Sequence, residues 1–170
     1  MDIFTAIRER KSVREFRDAD IENAKLLSIL EAARLSPSAK NMQAWKFVVV
    51  RDAATRKKLA EAANGQIFAG TAPVIIVACG TAPEYIMPCG QHAYAIDLSI
   101  ACTHMVLEAW ELGIGSCWLG AFNETEVKNI LNIPKSVRVV AMIPFGYAAG
   151  PVPSTSRKRL DEIMSYDKYS

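Results

Sequence analysis

Apolar residues recur at helical spacing near the start of the chain. Ile3, Phe4 and Ile7 share a face, which predicts a short helix over residues 2–10. The pattern then changes, and SVREF (residues 12–16) reads as an extended segment. Asp20 is placed to cap a helix over about 21–35, with Ile21, Ala24, Leu27 and Leu30 as its expected buried stripe. Pro37 breaks that helix, and SPSAKNMQA reads as a polar loop. WKFVVV and PVIIVAC are unbroken apolar runs of strand length. Between them Asp52 opens the helix AATRKKLAEAA, which Asn64 and Gly65 stop.

Residues 80–90 carry Gly80, Pro83, Pro88 and Gly90 and are expected to be irregular. QHAYAIDLSIACTHMVLEAWEL (91–112) follows, about 33 Å of helix at ~1.5 Å per residue. Between Asp97 and Glu108 it has no charge on any face. A helix apolar all round is buried on more than one side, so it is expected to serve both the core and a partner. Gly113 and Gly115 end it, and SCWL reads as a short strand. Asn123 with Glu126 forms a capping pair for ETEVKNIL. SVRVVAMIPFGY is the last strand candidate, and residues 148–170 form a Pro-punctuated C-terminal arm. Helices alternating with these strands predict a sheet covered by helices on both faces.

Composition adds bounds. The chain has 170 residues, 51% apolar and 22% charged, consistent with one domain over 1–170. A formal charge of +2 gives no footing for wholesale nucleic-acid or membrane binding, so any anion site must be local. MDIFTAIRER lacks the apolar stretch of a secretory signal, and no run is long enough to span a bilayer. Cys79, Cys89, Cys102 and Cys117 fit neither a zinc framework nor a redox pair, and a reducing cytoplasm is expected. No metal is expected, because Cys89 and His92 have no second pair. His104 reads as a satisfied core or interface histidine. Ser38 and Lys40 on a loop do not make an activated dyad. GIGSCWLG is not a dinucleotide-binding loop: Trp118 stands where the third glycine belongs, and the glycines follow a helix instead of opening one.

The candidate chemistry lies in RERKSVREF (8–16). On an extended segment Arg10, Ser12 and Arg14 share a face, while Val13 turns to the core. Two guanidinium groups and a hydroxyl suit a phosphate or another delocalised anion. Spacing alone leaves a solvated basic corner equally open.

RERKSVREF, LSPSAKNMQAWKFVVV, AIDLSIACTHMVLEAWELGIGSCWLGAF and SRKRLDEI, in that order, resemble the FMN-dependent nitroreductase family in its compact form. The resemblance covers nearly the whole chain, from about residue 3 to 168. It implies an α+β fold: a central mixed, mainly antiparallel sheet flanked by helices, in an intertwined homodimer. It also implies FMN as cofactor and NADH or NADPH as electron donor. Arg10 and Ser12 would hold the phosphate and ribityl chain, with Lys11 adding charge, and Arg14 would sit near the pyrimidine edge of the ring. Arg157 matches a second phosphate-binding arginine, with Lys158 beside it.

Pro37, Ser38 and Asn41 match a loop that covers the flavin of the second subunit. Ala39 and Ala44 depart from the family, where Ser and Pro are common. Gly120 matches the position whose backbone N–H faces flavin N5, and no side chain is expected to be catalytic. Trp118 and Leu119 are candidates to pack on the ring, with core filling favoured for Trp118, and Gln66 is a candidate for the pyrimidine edge. The implied reaction is ping-pong hydride transfer through N5 to a small-molecule acceptor such as a nitroaromatic or quinone. Two alternatives stay open: another reaction on the same fold, such as dehalogenation or dehydrogenation, and a non-catalytic FMN-binding protein.

Overall fold

The computed structural model describes residues 2–169. Helix α1 spans Ile3–Glu9, and Asp2 caps it by accepting the Thr5 N–H at 3.0 Å. Its expected apolar face is present but points outward: Ala6 is the buried residue, while Ile3, Phe4 and Ile7 are exposed.

Helix α2 spans Asn23–Arg34, and its stripe matches the expected one only in part: Ile21, just before the helix, is buried and Leu30 packs against the same core. Leu26, Ile29 and Ala33 are buried, whereas Leu27 is 56% exposed and Ala24 is exposed. The chain carries the adjacent apolar pairs Leu26-Leu27 and Ile29-Leu30, so two neighbouring faces are apolar and packing chooses between them. Asp20 does not cap this helix. The chain stays non-helical through Ile21, whose carbonyl accepts from Arg51 Nη2 at 2.7 Å, and Glu22 takes the N-cap position.

A 3₁₀ turn at Ala39–Asn41 leads to strand β1, Trp45–Val50. Asp52 caps α3 (Ala53–Ala62) through the Thr55 N–H at 2.7 Å, as its sequence signature predicts. Helix α4, Phe68–Thr71, was not foreseen, being too short for periodicity to show. Strand β2 is Val74–Gly80, and the long helix α5 is Ala93–Glu111. Strand β3 shrinks from the expected SCWL to Gly115–Ser116, and Gly115 lies in it instead of ending α5. Helix α6, Glu124–Leu131, has the expected cap: Asn123 Oδ1 accepts the Glu126 N–H and its amide reaches the Glu126 carboxylate. Strand β4 is Arg138–Gly146, and the arm beyond it is exposed and irregular apart from a 3₁₀ turn at Leu160–Glu162.

The strands pair antiparallel in the order β1-β2-β4-β3. Ser12 adds a parallel bridge to Ser116, which makes the sheet mixed at that edge. Strand β2 alternates between two cores, as a sheet buried on both faces must. Val74, Ile76 and Ala78 pack with α2 and α5 through Ile29, Leu98 and Met105. Ile75, Val77 and Cys79 pack with α3 and α6 through Leu59 and Val127.

Helix α5 carries apolar surface on two sides, one of which enters the core as expected. Leu98, Ala101, Cys102, Met105 and Ala109 enter the first core. Ala95, Ile96, Ser99, Ile100 and Thr103 line an open groove on the other side.

Candidate functional site

The extended segment after α1 is fixed by its backbone. Val13, 1% exposed, donates its N–H to the Ser116 carbonyl at 2.9 Å. Its side chain fills the space beside Gly115, where an added Cβ would lie 2.5 Å from Val13 Cγ2. Phe16 pairs with Ala148, and the bonds Arg17 N–H to Tyr147 O and Ala149 N–H to Glu15 O measure 2.8 and 2.9 Å. These bonds lay the start of the C-terminal arm along residues 15–17. Lys11 Nζ then donates to the Val152 carbonyl at 2.8 Å, drawing the arm toward the basic segment.

The result is a cleft of about 350 Å³ with Arg10, Lys11, Ser12 and Arg14 on one wall and Thr155 and Arg157 on the other. Arg157 is braced there by its own loop, donating from Nη1 to the Thr155 hydroxyl at 2.6 Å. Glu15 also lines the cleft. Lys158 lies outside its walls, while Arg8 and Arg159 turn away to Glu9 and Asp161. The cationic field reaches the core beneath. Burial pushes the Cys117 thiol up, opposed by Arg14, a Ser12 hydrogen bond and Arg10.

From Ser116 the chain runs on toward Gly120, at most about 13 Å away at ~3.3 Å per residue. Cys117 and Leu119 turn into the second core, and Trp118 and Gly120 turn outward. The packing expected of Trp118 and Leu119 is therefore exchanged. Leu119 is 2% exposed and its backbone is paired with Met142 in both directions, whereas Trp118 is 38% exposed. Register with β4, which the sequence does not reveal, decides which of the two points in. A Cβ built on Gly120 would meet nothing within 4 Å, so its backbone faces open space. Gln66 is held beside it by a bond from Nε2 to the Ala121 carbonyl, 3.2 Å.

Pro37, Ser38 and Asn41 sit in neither of these groups. They lie in the loop after α2, where Lys40, Asn41 and Gln43 take left-handed φ values of 52°, 53° and 51°. Ser38 Oγ closes the loop by accepting the Gln43 N–H at 3.0 Å. His104 is satisfied, its Nδ1 lying 2.7 Å from Ser36 Oγ. Sequence reasoning missed Glu15 and Thr155 in the cleft wall: no charge or spacing signal sets them apart from surface residues.

With this geometry in view, the sequence profile described as the nitroreductase family matches residues 7–72 and 65–147. The chain belongs to the nitroreductase family. Among its relatives, a Thermus thermophilus NADH dehydrogenase is 31% identical over 195 residues, spanning 96% of this chain and 95% of that one. The crystal structure of a nitroreductase family protein of Clostridium difficile 630 superposes with a TM-score of 0.90 at 29% identity, covering 99% of this chain and all of that one. A second Clostridium difficile structure, an FMN-dependent nitroreductase, gives a TM-score of 0.86 at 27% identity, with 98% of this chain and 99% of that one covered. As a nitroreductase-family chain, the protein has no described helix long and apolar enough to cross a membrane.

Proposed function

We propose that this chain is an FMN-dependent NAD(P)H oxidoreductase that works as a homodimer. The observation that carries this reading is the meeting of Arg10, Ser12 and Arg14 with Arg157 around one cleft. The guanidinium groups of Arg10 and Arg157, the Lys11 ammonium and the Ser12 hydroxyl suit a phosphate monoester, because each arginine donates in a fixed fork, and Arg14 adds a further cation beside them. The unobstructed backbone at Gly120 suits a flat ring farther along the segment that leaves β3. The residues present therefore fit flavin mononucleotide.

Arg10, Ser12 and Arg157 bind the phosphate end, and Lys11 both adds charge and holds the arm closed. Arg14 keeps a fixed cation at the pyrimidine edge, where it stabilises the negative charge that reduction brings. Gly120 lets backbone approach the ring. The chemistry FMN supplies when bound is hydride acceptance from NADH or NADPH and delivery to a nitroaromatic, quinone or related acceptor, in a ping-pong cycle. No side-chain acid or base is required of the chain.

The exposed apolar residues of α1 and the open α5 groove support pairing with a second copy, which would bring Pro37, Ser38 and Asn41 to its partner's cofactor. The free cysteines support a reducing, cytoplasmic setting.

The test is an absorption spectrum of the purified protein, followed by anaerobic titration with NADH and NADPH. The expected material is yellow and bleaches with one or both donors, and the Arg10→Ala/Arg157→Ala variant is colourless. Protein that cannot take up FMN on reconstitution overturns the reading. Bound flavin that neither donor reduces would make the chain a flavin binder instead of an enzyme.

A further inference from the structure

Three polar groups on α5 face α2 and the loop that follows it. Asp97 Oδ1 accepts the Ala39 N–H at 3.0 Å, His104 Nδ1 meets Ser36 Oγ at 2.7 Å, and Glu108 Oε1 accepts the Ser28 hydroxyl at 2.6 Å. Their spacing along the helix keeps them on one face. Asp97 differs from the other two. At 6% exposed it is the buried charged side chain among the described residues, where Ser36 and Ser116 are the other buried polar ones.

A buried carboxylate is unfavourable unless hydrogen-bonded, and the partner here is a backbone N–H at the start of a strained turn. Lys40, Asn41 and Gln43 all have φ between 51° and 53°, a region unfavourable for residues with a Cβ. Such backbone persists only where its surroundings over-determine it. Ser38 Oγ closes the turn from inside, and Lys40 Nζ lies 5.2 Å from the Tyr85 ring centroid on one side. Asp97 holds it from below. The outcome is that Asn41, Met42 and Gln43 are presented to the outside.

We propose that Asp97 is a positioning residue for the cofactor site. By gripping the Ala39 N–H, it fixes residues 38–43 in the one shape in which Ser38 and Asn41 meet the flavin of a second copy. This inference rests on the FMN-bound dimer proposed above.

Two variants cut the same bond from opposite ends. Asp97→Ala removes the acceptor. Ala39→Pro removes the donor and leaves the carboxylate in place, and Ser38, at φ −144° and ψ 157°, already has the extended backbone that precedes a proline. Asp97→Asn keeps an acceptor oxygen. FMN dissociation constants are measured by flavin fluorescence, alongside thermal midpoints and circular dichroism.

Asp97→Ala and Ala39→Pro are each expected to weaken FMN binding by about tenfold, while Asp97→Asn stays within about threefold of wild type. Ala39→Pro decides the matter should Asp97→Ala fail to fold. A lowered thermal midpoint with unchanged FMN affinity overturns the proposal, as does Asp97→Asn proving as damaging as Asp97→Ala. Wild-type protein that takes up no FMN overturns the cofactor reading itself, and this inference with it.

Discussion

Lys11 Nζ and the Val152 carbonyl, 141 positions apart in sequence, lie 2.8 Å apart and close the basic cleft. The bond is charge-assisted and partly buried, and it ties the arm to the basic segment beyond the point where Arg17 Nε donates to the Ala148 carbonyl at 2.9 Å. Lys11→Met keeps the alkyl stem and removes the donor. Its expected effect is a loosened arm: faster proteolytic cleavage within residues 150–160 and FMN affinity lowered by about tenfold, with the rest of the fold intact. Limited proteolysis and a flavin titration check this. An arm equally resistant in the variant would show that backbone pairing at Ala148 and Ala149 suffices.

Two glycines in one stretch separate stability from function. At Gly115 a methyl group would lie 2.5–3.0 Å from Val13, which is itself buried. Gly115→Ala is expected to destabilise the fold by about 1–3 kcal/mol, as overpacked cores do. Shortening the neighbour in Gly115→Ala/Val13→Ala should relieve only part of the clash, because the Cβ at position 13 itself lies 2.8 Å from the added methyl. At Gly120 a methyl meets nothing within 4 Å, so Gly120→Ala should leave the thermal midpoint unchanged and lower FMN affinity or turnover. Urea unfolding and a flavin titration on the two single variants give the contrast. Equal stability losses at both positions would defeat it.

What the sequence revealed divides by range. The caps at Asp52 and Asn123 were legible because capping is a contact over three residues. Strand 74–80 was legible because both of its faces are buried, which leaves an unbroken apolar run, and strand 45–50 because every residue but the exposed Lys46 is apolar and at least half-buried. The α2 stripe was legible only in part: Ile21 and Leu30 meet the core, but Leu26-Leu27 and Ile29-Leu30 offer two apolar faces, and docking on α5 buries Leu26 and Ile29 and leaves Leu27 out. The inward turn of Leu119 and outward turn of Trp118 follow from pairing with Met142, which no local pattern encodes. The shared cleft of Arg10 and Arg157 was reached through the family resemblance, because spacing alone left a solvated basic corner equally open.

The thiols should separate cleanly by accessibility. Cys89 is exposed near the tip of the 85–93 turn, whereas Cys79, Cys102 and Cys117 are buried and free. Burial pushes Cys79 up to about 11 and Cys102 up to about 12, so neither offers a thiolate at neutral pH. Native protein should react with a bulky thiol reagent at one cysteine per chain, and unfolded protein at all four. Cys89→Ser should abolish the fast reaction. Rapid labelling that survives in this variant would mean that one of the cores opens far more readily than its packing implies.

Glu124 should set part of the acid sensitivity of the fold. Its carboxylate accepts from Arg138 Nε at 2.9 Å and from the Val139 N–H at 2.9 Å, and Lys128 Nζ lies 3.0 Å away. Partial burial raises its pKa, but the Arg138, Val139 and Lys128 bonds outweigh that and hold it at about 2, against an ordinary 4.5. A carboxylate whose folded pKa is depressed stabilises the fold fully above its unfolded pKa. That stability fades as pH falls from 4.5 toward about 2. Glu124→Gln is therefore expected to lose about 1–2 kcal/mol at pH 7, a value discounted from the full linkage because Arg138 is solvent-screened. The gap between wild type and variant should narrow steadily below pH 4.5. Urea unfolding of both proteins at neutral pH and at about pH 3 measures it, and a gap that persists undiminished in acid would show that the side chain acts through packing instead of charge.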